Sequence, residues 1–187
     1  MGSLVISCLA LLFTVVSFWW MQWRPGNLVI ADLQHFAAGR GWVGGSDEPN
    51  GWFVGLPLIM LNTGASPLVL ESLRLTPAKG NPASQLIFNG VDTMLWSADP
   101  DEKSEHDFTY LPRIIKPNGA LAANVQFLWT PSELKYEARR YHFFLEAKIS
   151  GARDWQKVKD IELNFSGASE STLPLLDEGY RMFRYDG

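Results

Sequence analysis

Met1 to Trp23 contains no Asp, Glu, Lys, Arg or His, and this stretch constrains the chain more than any other. Its centre, Leu4 to Met21, is almost wholly apolar. In lipid a helix satisfies its own backbone, and about 20 apolar residues cross the hydrocarbon layer. Trp19, Trp20 and Trp23 suit an aromatic belt at one interface, and Arg24-Pro25-Gly26 then ends the helix. A cleaved signal peptide would need a basic start and a small-residue cleavage site, where this chain has bulky indoles. The reading is an uncleaved anchor over residues 1–23 that holds the protein in the membrane by a single pass. Cys8 has no lipobox before it and reads as a small apolar residue of the helix. Arg24 and Arg40 on the C-terminal side favour a cytoplasmic body by the positive-inside rule, but two charges do not assign the side. The lone sequon, Asn164-Phe165-Ser166, would matter only in a secretory pathway.

Removing those 23 residues from the 187 leaves 164, the size of one ordinary domain. All 16 bases and 20 acids lie there, a charged fraction typical of globular proteins. The formal charge of −4 speaks against a nucleic-acid binder, and a single thiol excludes an internal disulfide framework. Turn signals recur at short intervals: Asn50-Gly51, Asn62-Thr63-Gly64, Asn89-Gly90 and Pro117-Asn118-Gly119. Between them the composition predicts strands at 27–36, 53–62, 68–75, 85–89, 91–97, 107–115, 120–129, 138–149 and 155–165. Asn89-Gly90 is the best hairpin turn among them.

Period-two alternation assigns faces. Leu121, Ala123, Val125, Phe127 and Trp129 share one side of their strand, as do Tyr141, Phe143, Leu145, Ala147 and Ile149 of theirs. Residues 56–61 are apolar on both sides and belong inside a sheet, where Pro57 calls for a bulge or an unpaired edge. Thr130-Pro131-Ser132-Glu133 forms a capping box, so a helix through 131–149 is the alternative to a helical turn at 131–136 followed by a strand. Strands at this spacing without alternating helices predict an all-β antiparallel sandwich over 24–166. Residues 167–187 read as a tail whose aromatic second half can dock.

Two segments resemble known domains. Leu58 to Leu75, with Asn62-Thr-Gly64 and Pro67 at its centre, is similar to the strand, turn and returning strand of immunoglobulin-like domains of the hydin and cell-adhesion-related kind. Ile115-Lys-Pro117-Asn-Gly119, followed by Val125-Gln-Phe127, resembles their turn before a hydrophobic strand. The likeness spans about 75 residues, from 56 to about 130, and its motifs encode turn geometry. The resemblance implies an immunoglobulin-like sandwich used for binding or as a spacer, without catalysis. The charged stretch Glu133–Arg140 departs from it.

Reactive constellations are sparse. Gly39-Arg-Gly41-Trp-Val-Gly44 matches a dinucleotide fingerprint, but Gly45 to Gly51 cannot open the helix it requires, so it reads as a flexible loop. Trp42 in that loop, with Trp52 and Phe53 closing it, forms the candidate partner-binding set for a protein, a glycan or the headgroup layer; the structural alternative folds the indoles over one end of the body. Asp99, Asp101, Glu102, Glu105 and Asp107 could offer oxygens to calcium, but lack the spacing of a calcium loop. His35, His106 and His142 are too scattered for zinc, and Cys8 is too remote for blue copper. Gly64-Ala-Ser66-Pro67 is no nucleophile elbow. The bases between Lys135 and Lys159 alternate with acids and make no positive stripe.

The expectation is therefore a membrane-anchored, non-catalytic interaction or assembly domain with a protein partner at the membrane surface, no nucleic acid and no cofactor. The alternative is a metal- or ligand-binding accessory protein, or a membrane-bound enzyme, using the 99–107 loop and His106.

Overall fold

The computed structural model describes residues 2–41, 51–78, 92–94, 106–107, 112–129, 137–166 and 180–185. Helix α1 (Gly2–Gln22) is followed by β1 (Leu28–Ile30), β2 (His35–Gly41), β3 (Gly51–Asn62), β4 (Leu68–Pro77), β5 (Asp92–Met94) and β6 (His106–Asp107). The order continues with β7 (Arg113–Ile115), β8 (Ala120–Trp129), β9 (Arg140–Ile149), β10 (Gln156–Asn164) and β11 (Tyr180–Arg184). Apart from one N-terminal apolar helix, the structure is mostly antiparallel sheet.

At 1.5 Å per residue the 21 residues of α1 extend about 31 Å, long and apolar enough to cross a membrane. None of its residues is buried. Two of its hydroxyls bond within the helix, Ser7 to the Ser3 carbonyl at 2.9 Å and Thr14 to that of Ala10 at 2.8 Å.

One sheet runs β11-β2-β3-β8-β5-β6, with β1 also paired to β3; the other runs β10-β9-β4-β7. Alternate residues of β3 (Val54, Leu56, Leu58, Met60) and of β8 (Val125, Phe127) face inward. They meet Leu70, Leu73 and Leu75 of β4 and Tyr141, Phe143, Leu145 and Ala147 of β9 in one hydrophobic cluster. At roughly 25 cal/mol per Å² of apolar area removed from water, this shared core is the main stabilising term. The alternation predicted for β8 and β9 is what buries them. In β4 a bulge between Leu70 and Ser72 resets the period, so Leu70 and Leu73, three apart, both face inward.

Several expectations are corrected. The strand predicted at 27–36 is two strands, broken at Ala31–Gln34, and both pair with β3. Gly39 to Gly41 belong to β2 and pair with Phe53 to Gly51, so the glycine motif begins in a ladder instead of a loop. The strand predicted at 107–115 divides between sheets, β6 pairing β5 and β7 pairing β4. The strand expected at 138–149 is present as Arg140–Ile149, its alternate side chains joining the core, which sets aside the alternative helix; the turn expected at 131–136 lies outside the described residues, as does Asn89-Gly90. In the segment expected to be a tail, β11 pairs with β2 over five residues, and Phe183 lies 5.1 Å from Phe36 and 4.8 Å from Phe165.

Pro57 sits inside β3 without a bulge. The Ile59 carbonyl accepts from the Ala31 N–H at 2.9 Å, so odd residues of β3 aim their backbone at β1 and β2. Pro57, two residues before, faces the break between those strands, where no ladder donor is required. The break also closes one edge of the body. Lys159 of β10 donates to Asp32 at 2.7 Å and to the Ile30 carbonyl at 3.4 Å.

Candidate functional site

Backbone and side-chain hydrogen bonds gather where the chain leaves α1. The Arg24 carbonyl accepts the N–H groups of Ala65 and Ser66 at 3.0 and 3.1 Å, and the Asn27 carbonyl accepts that of Thr63 at 3.0 Å. The Arg24 guanidinium donates to the Thr63 carbonyl and lies 4.7 Å from the Trp20 ring centre. The exit strand of the helix is thereby stitched to the turn after β3.

Asn62 organises this junction. It is 1% exposed, and a buried amide needs its bonds made. Its Oδ1 accepts from the N–H groups of Asn27 (3.2 Å) and Gly64 (3.0 Å). Its Nδ2 is within bonding distance of the carbonyls of Ser66 (2.9 Å), Ile115 (3.2 Å) and Lys116 (3.2 Å). One side chain thus ties the helix exit, the β3–β4 turn and the β7–β8 turn together. Gly64 is obligatory beside it, because a Cβ there would stand 2.1 Å from the Pro25 carbonyl oxygen and 2.5 Å from the Gly26 Cα. No side chain fits at such a separation.

The predicted partner set lies elsewhere. β3 runs from Gly51 to Asn62, so Trp52 is ten residues from the junction, about 34 Å at 3.4 Å per residue. Trp52 pairs with Arg40 on one side and Trp129 on the other, at the far end of the sheet. Phe53 is 7% exposed and lies on the face of β3 away from the core, where Ala37 and Gln126 are also buried. Its ring is packed in the body. Trp42 lies outside the described residues. Of the acidic 99–107 stretch only His106 and Asp107 are described, as the backbone of β6.

A groove crosses the face of the larger sheet away from the core. Two adjoining cavities of about 350 and 240 Å³ share His35, Pro57 and Asn124, with Ile59 and Ala122 along the first and Met182 along the second. Asp32 borders it; the hydrogen bond from Lys159, reinforced by the charge of that ammonium, holds its carboxyl below the usual value. Among the described residues no group of three or more His, Cys, Asp or Glu could hold a metal ion.

Sequence reasoning identified Asn62-Thr-Gly64 and Pro117-Asn-Gly119 as turns but not as parts of one site. The available signal was an Asn at the end of an apolar strand, where its side chain had to be either exposed or fully bonded. No protein family, curated protein or solved structure was found to match this chain.

Proposed function

We propose that the protein is a single-pass membrane protein whose body, an immunoglobulin-like β-sandwich, serves as a non-catalytic interaction or assembly domain of a membrane complex. The observation that carries this reading is the pair of bonds from Ala65 and Ser66 to the Arg24 carbonyl, with Asn62 behind them. A flexible tether would suffice for an enzyme that only needs to stay near the bilayer. A bonded junction fixes how the body stands on its helix, which matters when a partner must be met in a set orientation. Two antiparallel sheets sharing one core support the sandwich, and the uncharged α1 supports the anchor. The proposed partner is a protein of the same membrane complex that reaches Trp52, about 34 Å along β3 from the helix exit; Trp42 belongs to the same proposed contact set, and Phe53 is packed in the body.

The test is co-purification of the full chain from detergent-solubilised membranes with mass spectrometry, after a carbonate wash. The expected result is a carbonate-resistant chain that brings down a membrane protein, and Trp42→Ala with Trp52→Ala weakens that recovery at least fivefold. Recovery as a lone monomer would overturn the assembly role. A chelator-dependent fall in melting temperature would favour metal binding through the acidic loop instead.

A further inference from the structure

The end of the body that holds the helix exit also gathers three turns, and strand register shows which. Leu61 pairs with Ala120 and Leu68 with Ile115, which brings Lys116–Gly119 to this end. Leu70 pairs with Ile149, which brings the β9–β10 turn, with Arg153 and Asp154, to the same end. Asn62 fixes the spacing. It accepts from the Asn27 N–H and reaches the Lys116 carbonyl, both at 3.2 Å, so Lys116 stands one amide side chain away from the residue three after Arg24.

The chemistry of this end is distinctive. Ile114, two residues before Lys116, is 69% exposed, the most exposed large apolar side chain of the body among the described residues. Lys116, Pro117 and Asn118 are exposed as well, and Asn118 takes the left-handed φ of 49° of the turn. The described charged residues on the strands and turns of this end are Arg24, Arg113, Lys116, Lys148 and Arg153 against Glu71 and Asp154. Cations beside an exposed branched aliphatic group, continuous with an apolar helix and its indoles, match the interfacial layer of a bilayer.

We infer that this end rests on the membrane, with Ile114 and Pro117 at the headgroup boundary and Lys116 and Arg153 bound to anionic lipid headgroups. The inference rests on α1 being a membrane anchor. It adds a second attachment, which would hold the helix-exit end of the body against the surface and reinforce the bonded junction. Lipid contact explains why Ile114 is left uncovered on a strand whose neighbour, Ile115, is fully in the core.

The test uses the full chain carrying Cys8→Ser and one labelled cysteine, either Pro117→Cys or, at the other end of β9, Glu137→Cys. Each is reconstituted in phosphatidylcholine vesicles with or without about one-third phosphatidylglycerol and a headgroup nitroxide quencher. The expected result is at least threefold stronger quenching at 117 than at 137, greater in the anionic vesicles, with the anionic increment abolished by Lys116→Glu plus Arg153→Glu. Equal quenching at both positions in carbonate-resistant vesicles would overturn this inference while leaving the anchor intact. A chain stripped by carbonate would overturn the anchor, and this inference with it.

Discussion

Asn62 donates through Nδ2 to the carbonyl of Ile115 at 3.2 Å, a buried bond between residues 53 positions apart. It lies in the same junction that receives Arg24, so the stability of the body and the mounting of the helix depend on one amide. That coupling yields the first prediction.

Asn62→Ala leaves the N–H of Asn27 and several carbonyls without their partner. Unmet buried groups cost about 1–3 kcal/mol each at most, with partial relief from water, so the net loss should be about 2–4 kcal/mol. Asn62→Asp should do no better, since a carboxylate cannot donate to the carbonyls of Ser66, Ile115 and Lys116. Urea unfolding of the full chain in detergent measures both.

Gly64→Ala sets a Cβ against the backbone of Pro25 and Gly26. The helix exit must move away, at about 2–3 kcal/mol by the usual cost of overpacking. Cleavage by proteinase K between residues 24 and 27 should rise with it. Gly151→Ala is the contrast. Its φ of 86° is strained for alanine, but nothing lies within 4 Å, so the loss should be about 1 kcal/mol with no new cleavage at the junction.

Phe183→Ala removes the ring stacked on Phe36 at an interplanar angle of 13°. The expected loss is about 2–4 kcal/mol, and hydrogen exchange should accelerate along β11 before any other strand. Equal protection in variant and parent would mean that the pairing with β2 is independent of this ring.

Glu146 sits directly opposite Arg74 in the β4–β9 ladder, with Arg74 Nε 2.6 Å and Thr76 Oγ1 2.7 Å from the same carboxylate oxygen. The guanidinium also covers the Trp155 ring at 4.2 Å. Both side chains are mostly covered, so Glu146→Gln should cost about 1–2 kcal/mol. A double-mutant cycle with Arg74→Met should return a coupling of about 1 kcal/mol.

Asp32 supplies the pH prediction. Its carboxyl titrates below its ordinary 3.8 because Lys159 bonds it. A carboxylate whose folded value is depressed stabilises fully above its unfolded value, and that contribution is lost as pH falls through the folded one. Asp32→Asn should therefore lower the melting temperature by the same small amount from pH 5 to 8, with the difference closing below pH 3.8. Added salt should shrink it too, since the carboxylate is fully in water.

The apolar helix and the buried faces of β8 and β9 could be read directly from the chain. Uncharged length dictates what α1 can cross, and the period-two geometry of a strand dictates which of Tyr141 or His142 turns inward. Covalent geometry makes those properties local. Strand partnership is different, because it is decided by competition among segments distant in sequence. No local pattern told that His106–Asp107 and Arg113–Ile115 serve different sheets, or that Tyr180–Arg184 would pair with β2. Nor did it reveal that Trp52 stands about 34 Å along β3 from the helix exit. Asn62 marks the boundary between the two kinds of knowledge. Its sequence context announced a turn, and only the meeting of three chain segments around a buried amide made it the joint on which the body is mounted.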